Sequence, residues 1–176
     1  MFLLLLPICY LLLYCSIVQE TDQNRKANLL KTTLIFLALL FLITEGLSFF
    51  KALTPWAVIT SWVLISLFLL ARLIHQKSPV FERLKYLLSP ALKLPRRRTS
   101  FIVFGIFLGL ILLQGLIYPP NNWDSMTYHL PRITSWLGNE SLDHYATHIV
   151  RQLYQPPFAE FVLLHIQALG GSDLFF

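Results

Sequence analysis

The chain has 176 residues, of which 56% are hydrophobic and only 13% are charged, and its mean hydropathy is +0.62. Soluble domains carry about 25% charged residues, so this composition excludes an ordinary soluble domain and indicates a membrane protein. The net charge of +5 would suit anionic lipid or nucleic acid. No segment interleaves aromatic and basic residues as a single-strand binding groove does, so no nucleic-acid partner is expected.

The first apolar run is Met1–Val18. A secretory signal begins with basic residues, whereas the first basic residue here is Arg25, behind the run. We therefore interpret Met1–Val18 as a retained membrane span with its amino end outside, in preference to a signal sequence. Cys9 and Cys15 lie within it and are interpreted as small apolar side chains, with no disulfide expected.

Three further apolar runs are long enough to cross a membrane: Thr32–Phe50, Thr54–Ile74 and Phe101–Tyr118. A helix rises about 1.5 Å per residue, so about 20 residues cross a hydrocarbon core about 30 Å thick. Only residues 51–53 separate the first two runs, which predicts an antiparallel hairpin. The predicted fold class is an all-α membrane protein with four transmembrane helices.

The basic residues predict the orientation of these spans. Eleven of the fourteen lie between the first two spans or at and after the end of the third. By the positive-inside rule that side is cytoplasmic, so residues 119–157 form an external loop, on the outer face of a bacterial inner membrane. The other three basic residues, Lys51, Arg132 and Arg151, are external. The cytoplasmic connection His75–Ser100 is interpreted as a basic tether that sets the topology, and a short helix on the lipid surface at Val80–Leu88 is the alternative.

The external loop has the pattern of a surface helix. Met126, Leu130, Ile133 and Leu137 recur at helical spacing and predict one apolar face, interrupted at Pro131 and stopping near residue 138. Four aromatic side chains suit the headgroup layer: Trp123, Tyr128, Trp136 and Tyr145. A fifth apolar helix follows at Phe158–Leu169 and is too short for a comfortable span. Its Glu160 and His165 are expected to face a bundle interior, with partners in helices beyond this chain.

The order of these features resembles a known family. A membrane helix ends at Tyr118, an acidic residue follows at Asp124, and an amphipathic surface segment leads to Pro156-Pro157 and a short apolar helix. This order resembles the amino-terminal part of the GT-C fold membrane glycosyltransferases, near the bacterial relatives of dolichyl-phosphate-mannose–protein mannosyltransferases and of aminoarabinose transferases. The resemblance covers residues 101–176. Residues 1–100 form a separate region of extra spans and a basic cytoplasmic loop.

The resemblance implies a function. Such an enzyme transfers a sugar from a polyprenyl-phosphate donor to an acceptor hydroxyl with inversion, and the chain would be its amino-terminal fragment. Asp124 matches the carboxylate that serves as the base, because a hydroxyl is a poor nucleophile until a positioned base takes its proton. The leaving phosphate needs a cation, for which Arg132 and Arg151 are the candidates. Tyr128 and His129 are the other substrate-binding candidates.

One departure from the family concerns the acidic residues. Many relatives carry two adjacent acids at the start of the loop, whereas Ser125 follows Asp124 here. A later acid, Glu140 or Asp143, is the alternative residue to share the role of base with Asp124.

Several candidate residues have a second interpretation. Asp124 would also serve as a helix cap, and the two arginines as ligands of lipid headgroups. Glu45 is an acid within a span, close to its outer end, where it can reach the interface. If residues 143–148 were helical, Asp143, His144 and His148 would be spaced to bind zinc, so a divalent metal is an alternative cofactor. No other cofactor is expected.

Two other functions compete with the glycosyltransferase. One is a transporter component, which the nearly featureless span centres disfavour. The other is a noncatalytic membrane subunit that packs through Gly105 and Gly109, whose spacing allows close helix approach.

Overall fold

The computed structural model describes residues 2–18, 24–76, 80–92, 98–118 and 122–171. Within these ranges all regular structure is helical, in agreement with the predicted class. The elements are α1 (Leu5–Ile17), α2 (Arg25–Phe49), α3 (Pro55–His75), α4 (Val80–Leu92), α5 (Arg98–Ile117), a π-helical turn (Ser125–His129), α6 (Leu130–Gly138), α7 (Arg151–Tyr154) and α8 (Phe158–Gly170).

Helices α2 and α3 are the two described helices that are long and apolar enough to cross a membrane. With 25 and 21 residues they extend about 37 and about 31 Å. α2 begins before the predicted run because the Asn24 side chain accepts a hydrogen bond from the Ala27 N–H at 3.2 Å. Thr54 caps α3 in the same way, and Pro55 lies in its first turn, where no N–H is needed.

The prediction of four membrane spans is not confirmed. α1 has 13 residues and extends only about 20 Å, which is shorter than a hydrocarbon core. α5 has 20 residues, but its described apolar stretch, Ile102–Gly115, is also below the length of a span. The structure therefore supports two candidate membrane-spanning helices among the described residues.

Helix α1 packs against the hairpin of α2 and α3. Cys9 and Leu13 join a buried cluster with Leu40 of α2 and Trp62 of α3. Cys9 and Cys15 are both buried free thiols.

The short helix considered for Val80–Leu88 is present as α4, which extends to Leu92. Its Arg83 donates a hydrogen bond to the Cys15 carbonyl near the end of α1, and the Tyr86 ring lies under the Arg25 guanidinium, 4.3 Å from ring centroid to Cζ. α4 thus lies at the end of the bundle where α1 ends and α2 begins.

Helices α6 and α8 cover the opposite end of the hairpin. Ile133 and Trp136 of α6 are buried in the same cluster as Phe161 and Leu164 of α8. Met126, predicted on the apolar face, is 56% exposed and lies within the π-helical turn, whose repeat is wider than that of an α-helix. The prediction that Trp136 lies in the headgroup layer was wrong, since its ring is in the core and only 4% exposed.

Candidate functional site

Two helix ends meet beside the hairpin and frame the candidate site. α2 is followed by Lys51 and α6 by Glu140, both in the left-handed backbone conformation, with φ of 51° and 55°. The Ala52 N–H donates to the Leu47 carbonyl, and the Ser141 N–H donates to the Trp136 carbonyl. Both helix ends therefore have the hydrogen bond of a Schellman motif. The Leu53 N–H donates to the Glu140 carbonyl at 3.0 Å and joins the two turns.

A cavity of about 920 Å³ lies at these turns. Helix α2 contributes Glu45 and Ser48, which are three residues apart and so lie on one helix face. The surface segment, defined as residues 122–157, contributes residues 142–145 and 152–157 together with Arg132 and Trp136. The cavity therefore lies between the end of a candidate membrane span and the segment that the sequence places outside the membrane.

Four acidic, lysine or histidine side chains in the cavity lining are exposed and have no hydrogen-bond or ion-pair partner within the described ranges. They are Glu45, Lys51, Asp143 and His144. Each can therefore bond to a ligand or to water. Glu45, interpreted from the sequence as an acid near the outer end of its span, is one of these cavity residues.

Arg132 is buried, with 4% of its surface exposed, although it carries a charge. Its NH1 donates to Glu160 Oε1 at 3.4 Å and its NH2 donates to the Gln155 carbonyl at 2.9 Å. The guanidinium carbon lies 4.7 Å from the Trp136 ring centroid. Its Nε is buried and has no partner among the described groups. Arg132 therefore links Gln155, which precedes Pro156-Pro157, to Glu160 on α8.

Glu160 is the acceptor at the centre of this arrangement. It is 1% exposed, and its Oε1 also lies 3.0 Å from His129 Nδ1. Its second oxygen, Oε2, is buried without a described partner. The expectation that the partners of Glu160 lie beyond this chain was wrong, since Arg132 and His129 supply them.

His165 corrects the same expectation. The Trp62 Nε1–H donates to His165 Nδ1 at 2.7 Å, and His165 Nε2 lies 2.9 Å from Thr44 Oγ1. Because indole nitrogen can only donate, Nδ1 must carry no proton and Nε2–H donates to the Thr44 hydroxyl. That hydroxyl donates in turn to the Leu40 carbonyl at 2.9 Å. Neutral His165 thereby attaches α8 to both helices of the hairpin.

Asp124 lies in the first turn of the surface segment, and its side chain is exposed. Its Oδ1 accepts a hydrogen bond from Arg151 NH1 at 3.2 Å. The capping interpretation of Asp124 was wrong: its side chain makes no cap bond, and the Asn122 side chain instead accepts from the Ser125 N–H at 2.8 Å. Both arginines proposed for phosphate thus contact carboxylates.

Gln152 connects the Asp124–Arg151 pair to the cavity. It follows Arg151, lines the cavity and is 5% exposed. Its Nε2 donates to the Thr127 carbonyl at 2.6 Å, and the Tyr145 hydroxyl donates to its Oε1 at 2.8 Å. Burial raises the pKa of the Tyr145 phenol, against the opposing effects of a Ser135 hydrogen bond and the Arg132 charge. The phenol therefore remains a donor at neutral pH.

The alternative metal site is not assembled. Residues 142–147 have no helical structure, so Asp143, His144 and His148 lack the geometry on which a zinc site depends. Within the described part of the chain, no group of three His, Cys, Asp or Glu side chains is placed to hold a metal ion.

Of the remaining candidates, Tyr128 and His129 are half-buried neighbours whose ring centroids lie 3.8 Å apart. The structure brings His129 to Glu160, away from the four unpaired cavity residues. Sequence reasoning missed Lys51 and Gln152 as site residues. The signal for Lys51 was available: it is a lone basic residue in a short connection between two apolar runs on the side with few basic residues. Comparison with protein-family models, with curated proteins and with solved structures finds no match to this chain.

Proposed function

We propose that the chain belongs to a membrane glycosyltransferase that moves a sugar from a polyprenyl phosphate to an acceptor hydroxyl with inversion. The observation that carries the proposal is the position of Asp124, whose exposed carboxylate pairs with Arg151 next to cavity residue Gln152. A base and a cation therefore form a surface pair across 27 residues of sequence. The pair lies outside the lining of the cavity of about 920 Å³, one residue along the chain from its lining residue Gln152, in a protein with a hairpin of membrane length. These are the parts that such a transfer needs.

The proposed reaction uses Asp124 as the base. Its carboxylate takes the proton of the acceptor hydroxyl as that oxygen bonds to the anomeric carbon of the sugar. The bond from the anomeric carbon to the lipid phosphate breaks, and the phosphate leaves with the electron pair. Attack from the opposite face inverts the configuration. Oδ2 of Asp124 has no partner among the described groups and is free to accept the proton.

The two arginines have different roles in this proposal. Arg151 is half-exposed and pairs with Asp124 in a surface contact, which is weak enough to exchange when substrate binds. Arg132 is buried and committed to Glu160 and the Gln155 carbonyl, so it positions the cavity wall. His129 contacts Glu160 behind the same wall, and the Tyr128 ring packs against the His129 ring. This assignment removes Arg132 from the phosphate-binding candidates.

The test is transfer of labelled sugar from a panel of polyprenyl-phosphate hexoses by membranes that contain the protein. We expect Asp124→Asn to lower the rate by about 100-fold or more, because the amide cannot accept the proton. Glu82→Gln on α4, at the other end of the bundle, is the matched control and should leave the rate unchanged. Full activity in Asp124→Asn with loss in Asp143→Asn would move the base to Asp143.

One observation favours a second candidate, a noncatalytic membrane subunit. Every described α5 side chain from Ile102 to Gly115 is exposed, and a Cβ added at Gly105 or Gly109 would meet no atom within 4 Å. In a membrane this helix is covered by lipid or by other helices. Purification from its native membrane in mild detergent separates the two candidates: a stable complex without sugar transfer would favour the subunit.

A further inference from the structure

We propose that Lys51 binds the phosphate of an amphiphilic phosphate ester whose polar headgroup occupies the cavity. This inference rests on the proposed function, and it identifies the phosphate-binding residue and the class of headgroup. It concerns a residue in the turn between the two candidate membrane spans, outside the surface segment that carries Asp124.

The distribution of charge favours Lys51 as the phosphate ligand. The sequence places three basic residues on this side of the membrane, and two of them are already paired with carboxylates. Arg132 contacts Glu160 and Arg151 contacts Asp124. Lys51 lines the cavity, is exposed and has no ion-pair partner among the residues that the structure describes. It is therefore the cation most available to an incoming anion.

The backbone gives a second argument. Lys51 has φ of 51° and occupies the position after a helix end where glycine is usual. Other residues are rare there, because this conformation crowds the Cβ against the backbone. Its turn is held by hydrogen bonds from Lys51 N–H to the Ser48 carbonyl at 2.9 Å and from Leu53 N–H to the Glu140 carbonyl at 3.0 Å. Strained positions that are held in this way cluster at ligand-binding sites. The turn directs the start of a long charged side chain at the cavity wall.

The cavity also contains groups that need hydrogen-bond donors. Glu45 and Asp143 present unpaired carboxylates, which accept from hydroxyl or ammonium groups and repel an anion. A phosphate is therefore favoured at Lys51, and the rest of the headgroup must carry donors. Arg132 also lines the cavity, but its buried guanidinium is committed to Glu160 and the Gln155 carbonyl, so Lys51 is the exposed cation of the described lining.

The rim of the cavity fits the apolar part of such a ligand. Phe49, the last residue of α2, is 83% exposed, and Tyr154 on the facing side is 66% exposed. Both side chains line the cavity, and Phe49 is at the end of a candidate membrane span. An isoprenoid or acyl chain would cover these rings while the headgroup fills the polar interior.

The experiment measures binding of farnesyl phosphate to the full chain, purified in nonionic detergent, with farnesol as the uncharged analogue. Lys51→Asn removes the charge but suits the left-handed conformation, and Lys51→Arg keeps the charge. We expect farnesyl phosphate to bind more tightly than farnesol, Lys51→Asn to weaken it about tenfold or more, and Lys51→Arg to retain most affinity. Lys31→Gln, an exposed lysine at the other end of α2, is the matched control and should change nothing.

Equal affinity for farnesol and farnesyl phosphate, or an unchanged affinity in Lys51→Asn, would overturn the proposal. Competition with glycerol phosphate identifies the source of the phosphate: displacement at similar concentration indicates a soluble ester, and failure to displace indicates a lipid. The assay contains no sugar and requires no transfer. Farnesyl phosphate that binds through Lys51 in a protein without transfer activity would refute the glycosyltransferase and leave the phosphate site standing.

Discussion

Arg132 and Glu160 form an ion pair from which water is almost absent, with side chains 4% and 2% exposed and 3.4 Å between NH1 and Oε1. The pair connects α6 to α8 across 28 residues of sequence. It lies behind the cavity wall, because the same guanidinium also binds the Gln155 carbonyl. Removing either charge leaves the other buried without compensation, and this has a measurable consequence for stability.

We expect Glu160→Gln to destabilise the protein by about 3–5 kcal/mol, since the Arg132 charge would remain buried without a counter-charge. The measurement is denaturant-induced unfolding of the detergent-solubilised protein. Asp124→Asn breaks an exposed pair and serves as the control, with an expected change of about 0–1 kcal/mol. If the double variant Arg132→Met/Glu160→Leu is no more stable than Glu160→Gln, the uncompensated charge is not the cause.

The hydrogen bonds of His165 predict a second stability effect. His165→Phe leaves the buried Trp62 N–H without its acceptor, and we expect a loss of about 1–3 kcal/mol. His144→Phe changes an exposed histidine and should have little effect. Nitrogen chemical shifts of the imidazole test the tautomer directly: protonation at Nδ1 would contradict the assigned network.

The left-handed conformation of Glu140 predicts opposite effects for two substitutions. Glu140→Gly should be neutral or stabilise by up to about 1 kcal/mol, because glycine adopts φ of 55° without strain. Glu140→Val should destabilise by about 1–2 kcal/mol, because a β-branched side chain fits poorly there. The comparison of their melting temperatures checks the turn. Equal melting temperatures would show that residue 140 does not have a positive φ.

The predicted orientation can be tested by labelling from outside the cell. Asn139→Cys lies in the turn beside the cavity, and Glu82→Cys lies on α4 at the opposite end of the bundle. A membrane-impermeant maleimide should label the first variant in intact cells and the second only after permeabilisation. The native Cys9 and Cys15 are buried and should react slowly. Labelling of the Asn139→Cys variant only after permeabilisation would refute the external placement of the site.

Local sequence patterns determined much of the helical architecture. Unbroken apolar length predicted α2 and α3, and the short connection between them predicted their hairpin. Amphipathic spacing predicted α6, and the apolar run predicted the short helix α8. These features depend on neighbouring residues and on the helical repeat, so they are readable without the fold. The same patterns predicted α1 and α5 as spans, which the structure does not confirm, because their described apolar helical stretches are shorter than a span.

Only the tertiary structure decided which polar side chains are partners. Trp62 and His165 are 103 residues apart in sequence, and Arg132 and Glu160 lie on different helices. A charge that is neutralised and a charge that is available look alike in sequence, because their difference depends on which group lies across space. The structure pairs Arg132, leaves Lys51 unpaired among the described residues, and forms an open cavity lined by both. Packing, which brings distant segments together and excludes water, makes that distinction.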